Sequence, residues 1–161
     1  MSAESILLAT EWQVWVRPIN SNDWSINAYT RLMKLLSMKD FWGFINNIDV
    51  IGKQQHDIFI MKENILPMWE DNHNKNGCIY SLCDNLHNFN EIFEKIFILS
   101  TEKSLIHKDK WLNGLSIQSK NDWFILKLWI SKEISEQYII TDFIKSLSKT
   151  MTIKCKNNTH R

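Results

Sequence analysis

Disulfide frameworks, glycine-rich loops, long apolar runs and an excess of either charge are all missing from this sequence. Its three cysteines, few and odd in number, argue against the stapled core of a small secreted domain. No apolar run reaches the length that spans a bilayer. The first ten residues carry Glu4 and a short apolar patch at 6–8, without the positive start and long apolar centre of a secretion signal. A cytoplasmic protein with no membrane partner is therefore expected. Nineteen lysines and arginines against eighteen acids leave a net charge of +1. A whole-protein basic field is excluded, so any nucleic-acid contact must rest on a few placed residues. Arginine is scarcer still: Arg17, Arg31 and Arg161 stand alone among lysines. There is no Gly-rich phosphate loop, His-Glu-x-x-His box or nucleophile elbow, and the serines, histidines and aspartates fall into no triad pattern. An enzyme is not expected, nor a cofactor.

No repeat, Gly/Ser linker or low-complexity stretch divides the 161 residues, a length that fits one domain with a real core. Hydrophobic residues at 44% and charged ones at 23% are ordinary for a globular chain. Abundant isoleucine, asparagine and lysine match AT-rich codons. What stands out is eight tryptophans, at 12, 15, 24, 42, 69, 111, 123 and 129. Indole is costly to expose and its N–H wants a partner, so the rings serve either an aromatic core or stacking.

Alternation at 12–16, ended by Pro18, predicts a strand. A turn at 20–23 then delivers Trp24. The spacing predicts a helix over 37–48, with Ser37 as N-cap, Asp40 three residues on, and a stripe of Phe41, Phe44, Ile45 and Ile48. Strands are predicted at 57–61 and 79–83, a helix at 89–99, and a hairpin from 112–117 and 123–130 around 119–122. A third helix is predicted at 133–147 and a last strand at 151–155. The fold expected is α+β: one curved antiparallel sheet with three helices on its convex face and a concave face free for a ligand. Residues 1–10 and 156–161 read as tails around a domain at 11–155.

The segment Ile65-Leu66-Pro67-Met68-Trp69-Glu70-Asp71 resembles the diagnostic motif of the translation initiation factor 4E family, the messenger-RNA cap-binding proteins. Trp12, Trp15, Trp24, Asp40-Phe41-Trp42, Asn46, Asn74, Lys75, Gly77, Gly114 and Trp129 agree in order and spacing. The resemblance, that of a divergent member, runs over about 11–155. It implies binding of the 7-methylguanosine 5′ cap and recruitment of a scaffold like initiation factor 4G. The alternative is a repressor or decoy that holds the cap without recruiting the scaffold. A cap-processing hydrolase would need a cluster of metal-binding glutamates, and none is present.

By the same resemblance, Trp24 and Trp69 stack on the base, Glu70 pairs with guanine, and Trp129 touches the N7-methyl group. The chemistry is sound by itself. A cationic methylated ring between indoles gains stacking and cation–π attraction, and an acceptor-only carboxylate suits guanine's adjacent donors. For Trp129, core packing is the competing reading. The phosphate site departs from the family. Ile79 and Ile125 stand where basic residues are usual, which leaves Lys120, with Gln118 on the same strand face and Lys127 on the face of Trp129. The resemblance also implies a groove of Met38, Trp42, Phe93, Glu94 and Phe97 for a partner's Tyr-x-x-x-x-Leu helix; packing within the domain competes with it. A monomer is expected. His73, Cys78, Cys83 and His87 are more loosely spaced than metal ligand pairs, so no metal is expected.

Overall fold

A computed structural model describes residues 6–132, 141–147 and 152–157. Seven strands follow the runs of apolar residues: β1 (Leu7–Pro18), β2 (Thr30–Ser37), β3 (His56–Lys62), β4 (Cys78–Asn85), β5 (Leu112–Lys120), β6 (Trp123–Ile130) and β7 (Thr152–Asn157). They form one sheet in the order β2-β1-β3-β5-β6-β4-β7, and every pairing is antiparallel. β2 was not anticipated. It is an edge strand in which only Leu35 and Ser37 are buried, so its sequence carries little alternation. β1 begins at Leu7 and β7 runs to Asn157, so both strands reach into stretches read as tails.

Successive strand side chains alternate between faces. Trp12, Val14 and Val16 of β1, Ile58 and Ile60 of β3, Leu115 and Ile117 of β5, and Phe124, Leu126, Leu128 and Ile130 of β6 point to one side and make the main core. The helices cover that side: α1 (Met38–Asn46), the single turn α2 (Ile48–Ile51), α3 (Phe89–Thr101) and α4 (Asp142–Leu147). α4 lies within the helix predicted at 133–147, and 133–140 fall outside the described residues. In α3, Phe89, Phe93 and Phe97 recur every fourth residue, so their rings meet along one stripe. Neighbouring centroids are 5.3 and 5.7 Å apart in near-parallel stacks, and Phe41 of α1 closes on Phe97 at 4.7 Å.

α1 starts where the sequence said. Ser37 Oγ accepts from the Asp40 N–H at 3.2 Å, and the Asp40 carboxylate accepts from the N–H groups of Ser37 and Leu36 at 2.9 and 3.0 Å. These bonds hold the Asp40 carboxyl below its ordinary range, that from Leu36 contributing most.

This packing corrects part of the partner groove. Phe97 is wholly buried and Phe93 nearly so, because both rings fill the space between α3 and α1. Met38 and Trp42 line a hollow with Leu7, Leu8 and Ile98, whereas Phe93 and Glu94 border a separate cleft beside Ile45 and Asn90. The loosely spaced histidines and cysteines do not converge. Cys78 is in the main core, His73 bonds Asp71 and His87 bonds Asn85, and no metal-holding cluster exists among the described residues.

Candidate functional site: an aromatic cavity on the open face

The sheet face away from the helices has its own apolar cluster. Phe59 and Met61 of β3, Ile79 of β4 and Trp129 of β6 form it with Tyr29 and Ile65, and Trp15, Met68 and Trp69 pack against them. Above it lies a cavity of about 260 Å³ lined by Trp24, Tyr29, Phe59, Trp69, Ser116, Gln118, Lys127 and Trp129. Trp24 comes from the β1–β2 loop and Trp69 from the β3–β4 loop, so the sheet forms the floor and two loops bring the walls.

Each loop is held by buried polar groups. Asn74 donates from Nδ2 to the Leu66 and Met68 carbonyls at 2.9 and 2.8 Å, and its Oδ1 accepts from Asn113 at 2.9 Å. Asp71 accepts from the Leu66 and His73 N–H groups at 3.1 and 2.8 Å. Burial opposes its ionisation, but these bonds prevail and hold its carboxyl below the ordinary range. Gly77 closes the loop: a Cβ there would stand 1.8 Å from the Ile130 carbonyl oxygen, an approach only glycine permits.

Trp24 depends on Arg17. The guanidinium donates from Nη1 to Asp57 at 2.9 Å and to the Pro18 carbonyl at 3.2 Å, and from Nη2 to the Ser21 carbonyl at 2.9 Å. Its central carbon lies 3.5 Å from the centre of the Trp24 ring. Arg17 and Asp57 are both buried. Burial raises the Asp57 carboxyl above its ordinary value, against the pull of Arg17 and a hydrogen bond with Gln118. Gln118 in turn accepts from Lys127 Nζ at 2.5 Å. A polar chain thus runs from the cavity lysine through Gln118 and Asp57 to Arg17 and the Trp24 loop.

The side chains singled out from the sequence divide as follows. Trp24, Trp69, Trp129, Gln118 and Lys127 come together at the cavity, with Trp24 half exposed. Trp69 leans on Trp129, centroids 5.1 Å apart at 40°. Trp129 is 3% exposed and its N–H is satisfied by Ser116 Oγ at 2.9 Å, so it serves core and cavity at once. Glu70 is exposed and outside the lining, and Lys120 is exposed at the end of β5. Burial raises the Tyr29 hydroxyl above its ordinary value, against the pull of Arg17. Ile79 is 2% exposed within the apolar floor rather than reaching toward a ligand.

Tyr29, Phe59, Ser116 and the Arg17–Asp57 pair were missed. Alternation from Trp15 and Trp129 could have found Phe59 and Arg17, which share the open face, but nothing local marks Tyr29. Five aromatic rings, one lysine and an amide suit a flat ring, above all an electron-poor one, carrying a polar tail.

The chain thus folds as one antiparallel sheet with helices on one face and an aromatic cavity on the other. A profile of the family described as eukaryotic initiation factor 4E matches residues 7–160, and the chain belongs to that family. Mouse eukaryotic translation initiation factor 4E type 1B is 36% identical over 73 residues, 44% of this chain and 30% of that protein. The fission yeast initiation factor 4E-1 is 31% identical over 74 residues, 44% of this chain and 34% of that protein. The matched stretch thus spans about a third of these relatives' length. The fold is that of Ascaris suum eIF4E-3 solved with the m7G cap: TM-score 0.79, 16% identity, 97% of this chain and 93% of that one. Caenorhabditis elegans eIF4E-3, solved with the 4E-binding protein Mextli and a cap analogue, gives 0.78 at 17% identity over 92% and 91%. No helix among the described residues is long and apolar enough to cross a membrane.

Proposed function

We propose that this protein binds the 7-methylguanosine cap of messenger RNA in the aromatic cavity and acts in translation initiation. The observation that carries this reading is that Trp24 and Trp69, 45 residues apart in sequence, line the same cavity. The methylated base stacks on them, and its positive charge adds cation–π attraction that the unmethylated base lacks. Trp129, at the floor, takes the methyl group. Glu70 follows Trp69 on a loop pinned by Asn74, and its carboxylate pairs with guanine's N1–H and amine. Lys127 and Gln118 meet the first phosphate, with Lys120 further along the strand.

The partner surface of this reading is the hollow between β1, α1 and α3, lined by Met38, Trp42 and Ile98, where Trp42 stands partly exposed on Phe41. An amphipathic helix carrying Tyr-x-x-x-x-Leu would lay its apolar side there. The alternative, a decoy that holds the cap without recruiting a scaffold, differs only at this hollow.

The test is retention on a 7-methylguanosine resin and release by free methylated nucleotide. Trp24→Ala and Trp69→Ala should each weaken binding by about 1–3 kcal/mol, with the far-ultraviolet circular dichroism of the native fold. Retention of both variants at native strength would overturn the assignment. Trp42→Ala should weaken the helical peptide and leave cap affinity alone, and a native protein that binds the cap but no such peptide favours the decoy.

A further inference from the structure

An indole stands exposed at the far end of the open face, where the cavity does not use it. Trp123 is 52% exposed, and an aromatic ring left in water at the tip of a hairpin is a poor use of its apolar area. Trp123 opens β6. Phe124, Leu126, Leu128 and Ile130 are buried beneath the helices, so Trp123, Ile125, Lys127 and Trp129 occupy the opposite face. Two of these, Lys127 and Trp129, line the cavity. The row therefore leads from the cavity floor to the hairpin tip, about 20 Å over six residues.

Lys120 is the register partner of Trp123 across the hairpin and is exposed. Directly opposed side chains of an antiparallel pair have Cβ atoms about 5 Å apart. The register partners that flank the row, Gln118 on β5 and Ser81, Cys83 and Asn85 on β4, are uncharged. Asp122 belongs to the two-residue turn, where its carbonyl accepts from the Leu86 N–H at 2.7 Å.

We propose that Trp123 and Lys120 form a second nucleotide subsite, which takes the first transcribed nucleotide joined to the cap through the triphosphate bridge. The base stacks on Trp123, and Lys120 neutralises a phosphate beside it. A strand track with an indole, a lysine and no carboxylate at its register positions matches a stacked base and its phosphate, and its Gln118, Lys127 and Trp129 line the cavity. The inference rests on the cap-binding reading.

Isothermal titration with two ligands, 7-methylguanosine triphosphate and the dinucleotide m7GpppA, separates the two ideas. The native protein should bind the dinucleotide more tightly, by roughly 5-fold or more. Trp123→Ala should remove that advantage and leave the triphosphate affinity unchanged, and Trp123→Phe, which keeps a stacking ring, should preserve most of it. Equal binding of the two ligands by the native protein overturns the subsite, as does an advantage that survives Trp123→Ala. A native protein that binds neither ligand overturns the cap-binding reading itself, and the subsite falls with it.

Discussion

At the scale of the residue, Arg17 carries more than its place in a strand suggests. One buried guanidinium holds Asp57, the Pro18 and Ser21 carbonyls and a face of Trp24. Removing one partner of a buried ion pair costs about 3–5 kcal/mol, because the other charge is left uncompensated, whereas replacing both by apolar groups can be neutral. Arg17→Met should therefore lower stability by about that amount in urea titrations. Arg17→Met combined with Asp57→Leu should regain most of it. Neither variant should regain native cap affinity, since Trp24 has lost the group that lies against its ring and ties its loop. Full affinity in the double variant would reduce the pair to a core element.

At the scale of the element, α1 is set by its cap. Ser37→Ala removes the acceptor for the Asp40 N–H and should cost about 1 kcal/mol in chemical denaturation. Asp40 adds a pH dependence whose sign follows from its depressed pKa. A carboxyl that ionises more readily when folded contributes stability above its ordinary value of 3.8, and that contribution is lost as pH falls below it through the folded value. The acid limb of a stability–pH curve should therefore be shallower in Asp40→Asn than in the native protein. α1 also carries Met38 and Trp42, so loosening its first turn should weaken the helical partner more than the cap.

At the scale of the whole molecule, charge is placed sparingly. Lys127 is the one lysine lining the cavity among the described residues, and the net charge is +1. Cap affinity should then differ little between mono- and triphosphate, and its logarithm should fall with log salt at a slope of roughly −1, as for one or two neutralised phosphates. A steep slope and a strong triphosphate preference would mean that residues beyond the cavity supply the charge. Ile79→Arg does not simply restore a phosphate contact, because Ile79 belongs to the apolar floor. A guanidinium there would be buried without a partner, and loss of stability should accompany any gain in triphosphate affinity.

Local rules in the sequence determined the elements they govern. Period-two alternation marked β1, short apolar runs marked β3, β4 and the β5–β6 hairpin, the Ser37–Asp40 spacing marked the start of α1, and the segment 65–71 marked the loop of Trp69. The weakly alternating edge strand β2 was not legible, because half of an edge strand's pattern is supplied by its neighbour. Contacts across long sequence separation were decided only by the tertiary structure. Phe97 has the same local pattern whether it faces a groove or the core, and packing against Phe41 and Phe44 turned it inward. Ile79 sits at a register position that reads as ligand-facing until it joins the apolar cluster beside its strand partner Trp129. Arg17 meets Asp57 and Trp24 only once β1 pairs with β3, since a side chain's partners depend on strand order and loop path, which no local period encodes.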